Sequence, residues 1–472
     1  MKGDSAQPGG ENLAANRKVI KIRTLVSAFG LTLAAVFASF SILPFLLQDG
    51  HPLRKAWFVF GCWMIVAPFH KADALQRFFI KIKRRQLELA CLGCWLFVVL
   101  VNAIIGRGYT SDLHLLNTIN MILVVIVAMF YSAQLDGSFN TLIAIVITAI
   151  GVESFRSLSA LVAEPGIARQ IMQPDITPEM SAAAGLAGIG QYGYYTGLAI
   201  VLPVFFARAF MAGFWMKLFL LFMVLGIVLA ILLSTFMGSI LLMLVGLVLF
   251  AAFYVGFAKA KITTGAKYFT LAGVALALCV SLLKDMPQFS YVSEKFLNQV
   301  SGVANEGFRK GDQTDRWDLW EMSFRTFTEN PIIGIGPVTS RENPDLSRIV
   351  GGHASWLDQF AEYGTLGFGF YVLFFLAIIL RLSTGLVRQV RQKKSSVASY
   401  AQLISGGLFI IGGIYNPITF ILEIYTLFYF ISINELGNPI TASVLRRFKT
   451  GNRPAVSLQS SLMDVAPIRK YN

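Results

Sequence analysis

The sequence is poor in charge: 14% of its 472 residues are Asp, Glu, Lys or Arg, where soluble domains carry about a quarter. That deficit excludes an ordinary water-soluble globule. Cysteine is scarce as well. The four present, Cys62, Cys91, Cys94 and Cys279, all fall inside apolar runs, so no disulfide framework stabilises the polar segments. Cys91 and Cys94 have the spacing of a redox or zinc pair, but neither a second pair nor a histidine accompanies them. They read as small apolar residues. A convincing internal repeat is also missing, which argues against a carrier assembled from two matching halves. What the chain has instead is apolar bulk, with 55% hydrophobic residues and a mean hydropathy of +0.63.

Apolar runs near the ~20 residues needed to cross the hydrocarbon recur along the chain, which points to helices rather than a barrel. Spans are expected to begin near Thr24, Ala56, Leu87, Leu115, Thr141, Gln191, Phe214, Met237, Tyr268, Thr365, Tyr400 and Ile418. The expected fold is therefore an all-α integral membrane protein with about twelve transmembrane helices and one large external helical loop. The net charge of +14 is concentrated in alternate loops. Lys71, Arg77, Lys81, Lys83, Arg84 and Arg85 sit in one; Lys259, Lys261 and Lys267 in another; Arg388, Arg391, Lys393 and Lys394 in a third; Arg446, Arg447 and Lys449 follow the last span. This is the positive-inside pattern, so the basic residues read as topology signals and contacts with anionic lipid rather than a nucleic-acid surface. It places both termini in the cytoplasm. The expected organisation is a disordered cytoplasmic tail over 1–23, nine spans over 24–283, an external loop over 284–363, three spans over 364–434 and a basic cytoplasmic tail over 435–472.

One long polar loop among tight ones is where a membrane protein places its chemistry. Within it, Asp315 to Phe327 carries Trp317, Trp320, Met322, Phe324 and Phe327 among charged neighbours, the pattern of an amphipathic helix at the membrane interface. Asn330-Pro331 stops that helix, and Gly334, Gly336 and Pro337 make a tight turn. From Trp356 the pattern is helical again and runs into the tenth span. His353 lies where the loop re-enters the membrane, near Glu362. An imidazole there can accept a proton from a hydroxyl nucleophile, or can simply cap a helix. Arg316 precedes the amphipathic helix, and its guanidinium can bind phosphate oxygens bidentately. Arg325, Arg341 and Arg348 can join it or remain solvated charges. Asp312, Asp315 and Asp318 share a helix face, but that spacing without a glycine-turn loop is weak support for a cation site, and no metal or cofactor is expected.

A second external segment, Ala163 to Gly190, leads into Tyr192, Tyr194 and Tyr195, which suit either an interfacial aromatic belt or sugar stacking. Just before it, Glu153 and Arg156 stand three apart on one helix face, as a structural ion pair or as functional intramembrane charges.

The order Arg316-x3-Trp320, Asn330-Pro331-x2-Gly334-x-Gly336-Pro337, His353-x3-Leu357 and Glu362-Tyr363-Gly364-x2-Gly367 resembles the C-terminal signature of the O-antigen ligase and O-antigen polymerase superfamily. The match covers roughly Asp315 to Tyr371. The resemblance implies a GT-C-like membrane glycosyltransferase fold using an undecaprenyl-diphosphate-linked glycan on the periplasmic face of the bacterial inner membrane. Transfer would go to another carrier-linked repeat unit (polymerase) or to lipid A–core (ligase). It assigns the catalytic role to His353 and diphosphate binding to Arg316; beside it, Glu362, Arg325, Arg341, Tyr194 and Glu153 are read as candidate supporting residues. Two departures stand out. Many members have Asn after the histidine, where this chain has Ala354. Many have Ser-Arg-Gly at the outer start of a middle span, where this chain has Ser234-Thr235-Phe236-Met237-Gly238-Ser239. Either Arg156, beside the tyrosine cluster, or another outer-loop arginine replaces that charge, or donor binding differs; the Arg156 side chain is expected to point into the same external cavity as Arg316 and His353. A transporter or flippase for the same lipid-linked glycans is the alternative from another class. It would require charges lining a path at the bilayer midplane.

Overall fold

The computed structural model describes residues 74–105, 112–134, 139–164, 166–171, 187–257, 314–336, 354–392, 397–415 and 422–433, with a few isolated positions between them. The described residues are helical with connecting turns. The helices are α1 (Ala74–Arg84), α2 (Gln86–Ile105), α3 (Asp112–Gln134), α4 (Phe139–Ala163), α5 (Ile167–Gln170), α6 (Tyr192–Phe210), α7 (Phe214–Leu233), α8 (Met237–Phe257), α9 (Thr314–Glu329), α10 (Ser355–Arg391), α11 (Val397–Tyr415) and α12 (Leu422–Ile433). Six of them, α2, α4, α6, α7, α10 and α11, are long and apolar enough to cross a membrane. They coincide with the spans expected from Leu87, Thr141, Gln191, Phe214, Thr365 and Tyr400. Shorter apolar stretches in α3 and α8 match the expectations at Leu115 and Met237. The expected spans at Thr24, Ala56 and Tyr268, and both expected tails, lie outside the described residues. Cys91 is buried on α2, while Cys94 faces outward from the same helix.

Helix α6 sits at the centre. It is buried almost all round and packs against α7, α8, α11 and α12, as a helix apolar on every face must. Outside it, α4 lies along α7 and α2 along α10. Polar pins fix the register where lipid offers no competing partner: Thr196 of α6 meets Ser239 of α8 at 2.8 Å, and the Gln402 amide of α11 donates to the Ile431 carbonyl at 2.6 Å.

The two ends of the bundle differ chemically. At one end, Lys81 of α1 donates to Ser132 at the close of α3 (3.2 Å), and Arg208 at the close of α6 donates to the Asn140 carbonyl at the start of α4 (2.7 Å). This basic end also holds a buried ionic cluster. Glu88 accepts from Arg381 Nε at 2.7 Å, from Arg85 Nη1 at 3.3 Å and from the Tyr429 hydroxyl at 3.2 Å. Arg381 Nη1 also donates to the Ser432 carbonyl at 2.9 Å, and Arg85 Nη2 to that of Ile433. Two guanidiniums thus close the C-terminus of α12, where unpaired carbonyls and the helix dipole favour cations. Burial, with Arg381 adding to it, lowers the pKa of the Arg85 guanidinium from its ordinary value.

Removing one member of a buried charge cluster leaves the others unpaired, at about 3–5 kcal/mol. Glu88→Ala is therefore expected to lower thermal stability markedly in detergent, read by a fluorescence melt. An unshifted melt would show that the cluster does not hold α2, α10 and α12 together.

Candidate active site

The other end, called the motif end below, is organised by a break in α10. Gly364 lies inside that helix with φ 61° and ψ −170°, a conformation essentially closed to residues with a Cβ. Into the break fits the turn that follows α9. The Ile335 and Gly336 N–H groups donate to the carbonyls of Ala361 and Glu362 at 3.1 and 2.7 Å. In return, the Thr365 and Leu366 N–H groups donate to the carbonyls of Pro331 and Ile332 at 2.8 and 3.1 Å. The backbone groups freed by breaking α10 are therefore satisfied by the turn, and those of the turn by α10. Two glycines make this approach possible. A Cβ on Gly334 would come within 2.4 Å of the Glu362 carbonyl, and one on Gly364 within 2.4 Å of the carbonyl carbon of Ile332. Asn102, near the end of α2, locks the turn from behind by donating to the Ile333 carbonyl at 2.7 Å. The signature Asn330-Pro331-x2-Gly334-x-Gly336 and Glu362-Tyr363-Gly364 thus forms one backbone interlock.

The interlock holds α9 against the first turns of α10. Ser323 of α9 donates to Asp358 Oδ1 at 2.9 Å, and the second carboxylate oxygen of Asp358 accepts from the Ala354 N–H at 3.1 Å. Ala354 is the N-cap of α10 and directly follows His353. A buried carboxylate thereby fixes the backbone one residue beyond the expected catalytic histidine and ties it to α9. Farther along, Phe327 packs edge-on to Phe360 at 4.3 Å. The expected amphipathic helix is present, with a different division of its faces. Ser323 and Thr326 turn inward against α10, while Trp317 and Phe324 face outward, 43% and 56% exposed, as suits aromatic side chains at a lipid interface.

The other expected site residues are placed as follows. Arg316 lies in the first turn of α9; its side chain, His353 and Arg341 lie outside the described residues. Arg325 sits on the exposed face of α9, 3.4 Å from Glu329 in a solvated pair. Glu362 is buried in the interlock. Tyr194 is 4% exposed; its hydroxyl lies 3.4 Å from Ser154 and its ring 5.0 Å from that of Tyr195, so it packs α6 against α4. Glu153 and Arg156 form the expected pair at 3.0 Å. They are covered by Gly188, whose φ of 77° and close approach (a Cβ would lie 3.1 Å from Glu153 Oε1) bring the segment before α6 down onto the pair.

One contact was not foreseen. At the α7–α8 turn, where the superfamily signature would carry its middle-span arginine, the Thr235 carbonyl accepts from Nη2 of Arg169 at 2.8 Å. The Arg169 guanidinium also lies 5.7 Å from the centre of the Phe236 ring. Thr235 has φ 60°, the one positive value outside glycine among the described residues, and a β-branched residue there carries strain of about 1–3 kcal/mol. The sequence signal was weak, since Arg169 stands in a different loop from the turn it meets.

The described residues define a helical, multi-pass membrane protein whose motif end is built around a helix break. Residues 220–372 match the family model described as O-antigen ligase. That match bears out the resemblance to the O-antigen ligase and O-antigen polymerase superfamily, and it supports a function of that general type. It runs from α7 through the interlock and includes Arg316, His353 and Glu362. No curated protein matches the chain.

Proposed function

We propose that the protein is a membrane glycosyltransferase that moves a glycan from an undecaprenyl-diphosphate carrier to an acceptor sugar hydroxyl. The observation that carries this reading is the O-antigen ligase match over residues 220–372, which contains the interlock and the two side chains expected to do the chemistry. The basic end faces the cytoplasm, in keeping with its lysines and arginines. The motif end then faces the periplasm of a bacterial inner membrane, within reach of both a membrane-held donor and the glycan of an acceptor.

In this reading the acceptor oxygen attacks the anomeric carbon as the bond to the diphosphate breaks, inverting the configuration. His353 takes the hydroxyl proton, and the diphosphate leaves with the bonding electrons. An unactivated sugar hydroxyl has a pKa far above neutrality, so a positioned base and correct orientation supply much of the rate. Arg316 stabilises the charge that develops on the leaving group. Arg156 enters the site with its Nη2 already engaged by Glu153, so that its contribution is a partly neutralised charge.

Arg316→Lys is expected to be strongly impaired, since a point charge cannot reproduce a bidentate guanidinium–phosphate contact; a drop in transfer rate of about tenfold or more would be consistent with losing one charge-assisted hydrogen bond. A lysine variant as active as wild type would reduce the role to general electrostatics.

The leading acceptor is a second carrier-linked repeat unit, which makes the enzyme a polymerase of O-antigen or exopolysaccharide. The family description favours the second reading, ligation to lipid A–core. Purified protein given carrier-linked repeat units alone separates the two. A ladder of lengthened glycan supports polymerisation, and product formed only after lipid A–core is added supports ligation.

A further inference from the structure

The turn between α7 and α8 holds donors that the fold itself does not use. Thr235 is 2% exposed, yet its hydroxyl has no hydrogen-bond partner. Arg169 commits Nη2 to the Thr235 carbonyl, while its Nε is enclosed and without a partner. No carboxylate among the described residues pairs with that guanidinium. Around them stands an aromatic wall: Phe236 lies 5.3 Å from the ring of Tyr192 and 5.9 Å from that of Tyr195. A hydroxyl and a guanidinium N–H shut away from water are costly unless an acceptor meets them. Strain at Thr235 adds a second, independent sign, because strained positions persist where the surroundings hold them and gather at ligand clamps.

We propose that Arg169 and Thr235 form a phosphate-oxygen site at the motif end, and that its occupant is the diphosphate of the lipid-linked donor. The proposal rests on the carrier-linked donor described above and adds Arg169, which lies outside the matched residues 220–372. The guanidinium keeps its charge at any physiological pH and its planar fork suits phosphate oxygens. Arg156 is engaged by Glu153, whereas Arg169 has no ion-pair partner among the described residues. A phospholipid headgroup offers the same chemistry, so the test must separate the two sources.

The experiment uses the full-length protein in phosphatidylcholine nanodiscs, with undecaprenyl diphosphate as the probe and phosphatidylglycerol nanodiscs as the second arm. The variants are Arg169→Ala, Arg169→Lys and Thr235→Gly; the last removes the hydroxyl while relieving the backbone strain, so it keeps the test valid if the arginine variants fold poorly. Arg169→Ala is expected to weaken undecaprenyl diphosphate binding about tenfold or more, Arg169→Lys to restore part of it, and Thr235→Gly to weaken it measurably with an intact melt. Phosphatidylglycerol should compete poorly. Equal binding by wild type, Arg169→Ala and Thr235→Gly would overturn this site alone. Loss confined to phosphatidylglycerol retention would overturn the donor assignment in favour of a lipid headgroup. A wild-type protein that does not bind undecaprenyl diphosphate at all would instead overturn the carrier-linked donor itself.

Discussion

Replacing His353 by alanine is expected to abolish glycan transfer while leaving expression and membrane insertion unchanged. The residue adjoins the N-cap of α10, and the N–H of its neighbour Ala354 donates to the Asp358 carboxylate. The backbone there has its own support, so the imidazole can be removed without undoing the helix start. Loss of a general base costs about 10²–10⁴ in rate, enough to take product below detection in a complemented strain. Product of normal yield and length from His353→Ala would remove the residue from the mechanism.

The second large effect is expected at Gly364. Alanine there would place a Cβ within 2.4–2.6 Å of the Ile332 and Ile333 backbone, at a φ and ψ that residues with a Cβ avoid. Neither the turn nor the helix can yield without breaking hydrogen bonds to the other. The four backbone bonds across the break are each worth about 0.5–1.5 kcal/mol, and the strained conformation adds about 1–3 kcal/mol. Gly364→Ala should therefore lower the melting temperature in detergent and detach α9 from α10, read as new protease cleavage near Asn330. A variant with the wild-type melt and cleavage pattern would contradict the interlock.

How much of this was legible in the sequence depends on the range of the interaction. Runs such as Gln86–Ile105 and Phe214–Leu233 declare themselves, because lipid demands a long, nearly uncharged helix whatever its neighbours are. The resumption of helix at Trp356 was readable for the same reason; the described helix begins one residue earlier, at Ser355. The break at Gly364 was not. A glycine in an apolar run is compatible with an ordinary helix, and only the turn at Pro331–Gly336 reveals why it must be one. The ionic cluster was half visible. Arg85 read as a topology signal, whereas Glu88, a carboxylate just inside a span that requires buried partners, was not singled out, and those partners on α10 and α12 are supplied by tertiary packing. Arg169 left no local trace, since its partner Thr235 is supplied by tertiary packing.

The central claim is that the motif end transfers glycan rather than moving it across the membrane. The most direct measurement places the purified protein in sealed vesicles with an undecaprenyl-diphosphate-linked glycan and an acceptor, and follows acceptor glycosylation, carrier release and carrier sidedness together. The account predicts that each glycan transferred releases one undecaprenyl diphosphate, and that His353→Ala loses both signals. Glycan that crosses the bilayer still attached to its carrier, with no transfer and no release, would contradict it and make the protein a flippase.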